Sequence, residues 1–298
     1  QIWYNTTSQT LKGVEFSTVG SWATGGNMIA AIKELGGLGT QTAGLSVGGN
    51  EGGSSNQCEE YNGSSWTAGG NMSVPRFDVA AAGLQTAGLA FGGFAPSQSP
   101  TSSVSTEEYN GTAWTGGGNL GTGRYGGAGA GTQTAGLAFG GFLPPNTTAT
   151  EEYNGSSWTA GGALSAATKY LAGCGTQTAG LAFGGETPSA ADANATFEYD
   201  GSSWTGGGNL NTARQRLAGS GIQTAALAFG GNVVPLGATE EYNGTAWTTT
   251  TTMSFGRRAL AGCGATSALS LAFGGTPPDT AATEEFSAGP VTVTISGS

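Results

Sequence analysis

The chain has 298 residues, 57 of them glycine, with only 9% charged, no histidine and a net charge of −10. A folded chain of that length buries about 75% of its unfolded surface, so it needs no disulfide or metal staple; its acidity excludes the dense basic stripe of a nucleic-acid surface. No stretch approaches the roughly 20 consecutive apolar residues that span a membrane, so neither nucleic acid binding nor membrane insertion is expected.

Taken in chain order, the N-terminal segments IWYN (2–5), LKGVEFS (11–17) and GSWAT (20–24) read as a three-stranded meander. A chain that opens on Gln1 rather than Met is expected to be a processed or truncated product. Then a unit repeats. Its Gly-Gly step begins at Gly48, Gly92, Gly140, Gly184, Gly230 and Gly274, at intervals of 44–48 residues, and Trp22, Trp66, Trp114, Trp158, Trp204 and Trp247 keep the same beat. In the unit 124–158 a small-residue strand around GGAGAG is followed by the turn Gly131-Thr132-Gln133-Thr134, the strand AGLAFGG, a variable stretch, the strand TEEY and a last strand opening at Trp158. Short strands bounded by glycine or Asn-Gly are hairpin-connected, and four of them per unit of 40–50 residues is the mark of a β-propeller. The segment VTVTIS (291–296) alternates and reads as one more strand.

The stretch EEYNGSSW and its variants contain Asn-Gly-Ser/Thr at Asn62, Asn110, Asn154 and Asn243, an N-glycosylation pattern. The fifth copy has Asp200, which cannot carry sugar but serves equally well in a tight turn. Since a hairpin turn explains all five copies, with positive φ expected at both Asn and Gly, the motif is read as a turn.

Third strands of the Glu-aromatic type number seven, from Glu15-Phe16 through Glu285-Phe286, which with the other segments makes 27 strands, one short of seven blades of four. Seven blades are favoured. In the six-blade alternative, the Trp22 strand completes the C-terminal repeat. Either way 1–298 is one all-β domain: a hairpin or partial blade at 1–19, repeats over 20–287, and a closing strand at 288–298. The ring is closed by N- and C-terminal strands, which removes free sheet edges.

Arg, a small-residue strand, an apolar strand ending in Gly-Gly, a variable loop, Glu-Tyr and then Trp: over about residues 14–287 this order resembles the kelch repeat. It departs from that pattern in its Ala/Gly first strands and in Ile32 and Thr168, which replace the Arg. The wording TQTAGLAFGG…TEEYNGSSWTAGG resembles kelch-like repeat proteins of marine bacteriophages, and the IWYNTTS…LKG opening is similar to hairpins of phage tail and fibre proteins. The resemblance implies four-stranded kelch-like blades and a virion or extracellular location.

The aromatics Tyr61, Tyr109, Tyr153, Tyr199 and Tyr242 and the six periodic tryptophans are expected to be structural, packing within the blades. The neighbouring glutamates are expected to face adjacent blades and to pair with Arg76, Arg124, Arg214 and Arg257. Cys174 and Cys263 occupy equivalent places and read as small packing residues, not disulfide partners. The uniform turns should pave one face and the variable segments the other, where loops on a rigid scaffold usually bind. Apolar and proline residues there are the candidate contacts: Phe94, Pro96, Phe142, Leu143, Pro144, Val233, Val234 and Pro277.

Without histidine there is no Ser-His-Asp or Cys-His pair and no ligand set for the copper oxidases that share the kelch architecture. The stretch Asp200–Trp204 is one residue short of a sialidase Asp box, and the irregular acids Asp78, Asp192 and Asp279 sit in no motif. No enzyme, no metal and no cofactor are expected. The expected function is a virion surface or structural module, a tail or fibre component whose variable loops meet other virion proteins or a host receptor or glycan, with homo-oligomers as an open option. The alternatives are a secreted lectin or adhesin, for which outward-facing tryptophan clefts would speak, and an intracellular kelch-type adaptor.

Overall fold

In the computed structural model, which describes residues 2–5, 10–13 and 18–290, the chain forms a propeller of six four-stranded antiparallel blades. The third blade shows the plan: Ala128–Thr132 innermost, then Ala135–Phe139, Thr150–Tyr153 and outermost Trp158–Ala160. The innermost strands of the other blades are Gly36–Thr40, Ala80–Leu84, Ala172–Thr176, Ala218–Ile222 and Ala261–Thr266, each packed beside the next around a narrow axial channel.

The expectation of seven blades is corrected to six. Thr18–Thr24 is the outermost strand of the last blade, paired with Thr283–Pro290 so that Trp22 stands opposite Phe286, as Trp158 stands opposite Tyr153. The last repeat lacks a Trp strand of its own, and its open edge captures this one, so that hydrogen bonds between strands from opposite ends of the chain close the ring and Thr18–Thr24 becomes the outer edge of that blade. Among the described residues Ile2–Asn5 and Thr10–Gly13 pair with each other, while Thr18–Thr24 pairs with Thr283–Pro290 rather than joining them in a three-stranded meander. Glu15-Phe16 and the VTVTIS strand lie outside the described residues. In the first blade the segment 50–57, the counterpart of the variable stretch between the Gly-Gly and Glu-Tyr strands, is mostly strand: Ala43–Asn50 and Ser54–Tyr61 continue almost to the tip.

The Asn-Gly turns use a mechanism different from the expected one. Only the glycine has positive φ, +90° at Gly63. The connection from Tyr61 to Trp66 is four residues long, and Asn62 Oδ1 accepts the N–H groups of Ser64 and Ser65 at 3.0 and 2.9 Å. Asp200 does the same for Ser202 and Ser203. A side-chain oxygen at that position is what the turn requires, which is why Asn and Asp interchange.

One set of contacts repeats at the seams between blades. The Phe that ends each second strand reaches into the next blade, where it meets a Trp: Phe139 and Trp204 have centroids 5.0 Å apart. The same ring covers a glycine of the next innermost strand; a β-carbon on Gly173 would lie 2.4 Å from Phe139 Cζ. The inner strands are therefore glycine-rich for a steric reason. The Trp N–H donates to the Thr that starts the preceding blade's third strand, as Trp204 does to Thr150 at 2.9 Å. The Tyr hydroxyl donates to the second Glu of the preceding blade, at 2.5–2.6 Å in five seams. A turn glutamine straps the seam by donating to two carbonyls, as Gln133 does to Gly88 and Tyr109.

The first Glu of each pair has a separate role. Glu107, Glu151, Glu240 and Glu284 pair with Arg76, Arg124, Arg214 and Arg257 of the same blade, all of them buried. The fourth blade has lost both partners together, with Thr168 for Arg and Phe197 for Glu.

The seam between the first and second blades deviates in matched ways. Val47 replaces the Phe and Ala81 the Gly beneath it, so one methyl occupies space that the ring has vacated. Cys58 replaces the Thr, and the buried Trp114 N–H has no hydrogen-bond partner. Restoring an acceptor with Cys58→Thr should stabilise the protein by about 1 kcal/mol. Denaturant melts of the two proteins test this; a loss of stability would show that the thiol's packing matters more than the missing hydrogen bond.

Candidate functional site

The uniform turns gather on one face of the disc: the Gly63 turn lies beside Thr42, the Gly155 turn beside Thr134, and so on around the ring. The opposite face carries the variable loops. At its centre, each blade contributes the second residue after its Arg position: Glu34, Asp78, Gly126, Tyr170, Arg216 and Ala259. All six have φ between +49° and +62°. Their backbones form a closed collar round the channel mouth, each N–H donating to the carbonyl of the preceding blade's residue at 2.6–3.0 Å. For the five that are not glycine this conformation costs about 1–2 kcal/mol each, offset in part by the collar hydrogen bonds. Strain held at a rim of differing side chains points to function.

Four of those side chains meet. Arg216 Nη1 lies 2.9 Å from Glu34 Oε1 and 3.9 Å from Asp78 Oδ1, and its guanidinium stacks on the Tyr170 ring at 3.9 Å. Outside them, Lys33 pairs with Asp279 and Lys169 with Glu186, both at 3.1 Å, while Arg258 bonds the Asn232 amide oxygen at 2.6 Å. The chain has nine basic residues. Four are the blade arginines and Lys12 lies in the N-terminal hairpin; the other four, Lys33, Lys169, Arg216 and Arg258, all stand around this mouth. Between them opens a cleft of about 440 Å³, within the range of small-ligand sites. It adjoins a pit of about 90 Å³ over the axis.

Burial pushes the Asp78 carboxyl up to about 7, with Glu34 adding to the effect and Arg216 and Lys169 opposing it. Because the folded value lies above the unfolded one, the associated stability is complete below about pH 3.8 and is lost as pH rises through about 7. Asp78→Asn, which suits the left-handed backbone, should therefore raise stability at pH 8 by on the order of 2–4 kcal/mol and change it little at pH 4. Thermal melts at the two pH values check this; an equal shift at both would contradict it.

Of the loop residues read from the sequence, Phe94 and Phe142 are half-buried in a row of rings. Phe94 sits between Phe77 (5.0 Å) and Tyr125 (5.2 Å); Phe142 follows Tyr125 at 5.3 Å, with the Lys169 ammonium 4.8 Å above it. Pro96, Leu143, Pro144 and Pro277 are exposed, Val233 is half-buried and Val234 is 93% exposed. They share the varied face, where Phe94 and Phe142 flank one ring, Tyr125. The collar residues converge, and the sequence reading gives none of them a role; Asp78 enters it only as an irregular acid outside any motif. The signal was an aligned position that holds a different residue in every repeat. The six periodic tryptophans lie in the seams, Trp22, Trp66, Trp204 and Trp247 buried and Trp114 and Trp158 half-buried; five of these six indole N–H groups are bonded to threonines. They form no repeated outward cleft among the described residues.

No family model matches the chain, and no curated protein matches it either.

Proposed function

We propose that the chain is a kelch-like propeller acting as a non-enzymatic presentation module, a tail- or fibre-type component at the surface of a virion, whose varied face engages a host receptor glycan or another virion protein. The observation that carries this reading is the division of the disc. Seams and lower turns repeat from blade to blade with few exceptions, whereas the collar and upper loops differ at every blade. Selection for a scaffold alone would leave both faces equally monotonous. The order Gly-Gly, Tyr, Trp supports the kelch assignment, and the repeat wording supports the virion setting.

A glycan-array screen of the purified chain, repeated with 94–105 and 142–149 replaced by Gly-Ser linkers and, separately, with the collar residue Asp78 replaced by glycine, tests the proposal. Specific binding, weakened by at least one of these alterations of the varied face, is expected. Binding that survives every alteration of that face would overturn it. No binding at all would remove the receptor half and leave assembly with virion proteins.

A further inference from the structure

The channel mouth holds two charged groups that face open space with donor or acceptor capacity to spare. The Asp78 side chain is only 8% exposed, lines the axial pit, and makes no side-chain hydrogen bond with any described residue; Arg216 stops 3.9 Å away because it is engaged by Glu34. A buried carboxylate without a donor is costly. In the adjoining cleft, the half-exposed Arg258 side chain bonds one partner among the described residues, the Asn232 amide oxygen, and a guanidinium carries five N–H donors.

The surrounding charges cancel. Lys33 is matched by Asp279, Lys169 by Glu186 and Arg216 by Glu34. A cation entering the cleft to reach Asp78 would pass Arg216 and Arg258, and an anion seeking Arg258 would pass Glu34 and Glu186. A neutral molecule meets neither barrier. It must present a donor to Asp78 and acceptors to Arg258 in one body, and offer both kinds of group to the uncharged Gln215, Asn232 and Thr276 that line the cleft. A hydroxyl donates and accepts at once, so a polyhydroxylated ring satisfies all of these. The cleft volume of about 440 Å³ accommodates a molecule of that size.

We infer that the mouth is a binding site for a neutral saccharide unit, seated in the cleft beside Arg258, Asn232 and Gln215, with one hydroxyl reaching into the pit to donate to Asp78. This rests on the reading of the varied face as receptor-binding and names the chemistry and the place. The site is distinct from the loops at 94–105 and 142–149, none of whose residues line it.

The test uses the full chain, a printed array of neutral, sialylated and sulfated glycans, and titration calorimetry with free neutral monosaccharides and free amino acids. Asp78→Gly is the variant of choice: Gly126 occupies the equivalent collar position, so the backbone accepts glycine, and a melt confirms folding. The expected result is binding of neutral glycans by the parent chain, weakened about 10- to 100-fold by Asp78→Gly and retained when the two loops are replaced. Neutral-glycan binding that is indifferent to Asp78→Gly but abolished by loop replacement would overturn the inference and leave the receptor reading standing. Binding confined to charged glycans, or to zwitterionic amino acids, would also overturn it. No binding to any glycan would remove both the inference and the receptor reading.

Discussion

Arg214→Ala should destabilise the propeller by about 3–5 kcal/mol, as expected when one partner of a buried ion pair is removed. Arg214 is 0% and Glu240 2% exposed, and they meet at 3.1 Å. Arg214 also donates to the Ala238 carbonyl at 2.8 Å. Truncation leaves a carboxylate buried with no cation, and the Ala238 carbonyl keeps only the Gly230 N–H, at 3.1 Å. Glu240 would still hold the Asn211 N–H at 2.7 Å, which does not neutralise it. The fourth blade supplies the control, since Thr168 and Phe197 stand there in place of Arg and Glu and Phe197 packs against the local core. The double variant Arg214→Thr/Glu240→Phe should therefore recover most of the loss, as apolar replacements of buried pairs commonly do. Denaturant unfolding of the single and double variants decides the matter. If the double variant is as unstable as Arg214→Ala, the pair does more than compensate itself.

The second large effect concerns the ring that crosses each seam. Phe139→Ala should cost about 3–5 kcal/mol, because the ring is fully buried between Trp204 and the bare backbone at Gly173. Gly173→Ala, with the ring in place, should cost about 1–3 kcal/mol through overpacking. The first seam shows the matched alternative, Val47 over Ala81. Transplanting it as Phe139→Val with Gly173→Ala should cost less than the two single changes added together, with a coupling of about 1 kcal/mol or more. Strict additivity in the cycle would mean that ring and glycine do not share the space that the geometry gives them.

These two results bear on the site through rigidity. The collar residues immediately precede the innermost strands, and those strands are positioned by the Phe–Gly contacts and the Arg–Glu pairs. A scaffold locked in this way can hold Glu34, Asp78, Tyr170 and Arg216 in left-handed backbone. A looser ring would let them relax.

The all-β propeller was legible in the sequence because its causes are local and periodic. Gly-Gly, Glu-Tyr and Asn-Gly each specify a short strand end or turn within a few residues, and six copies make the period plain. The structural aromatics were legible for the same reason. The number of blades was not, since it depends on whether Thr18–Thr24 pairs with a partner more than 250 residues away, and no local preference distinguishes that pairing from a seventh blade. Nor was the division of labour between the two glutamates: successive residues on a strand point to opposite faces, and only the packed ring shows that one face meets an arginine and the other the next blade's tyrosine. The sequence by itself thus determined the repeat, the blade and its turns. The tertiary structure alone decided the ring's closure and the meeting of Glu34, Asp78, Tyr170 and Arg216 from four separate blades, because residues up to 182 positions apart become neighbours only when the circle is complete.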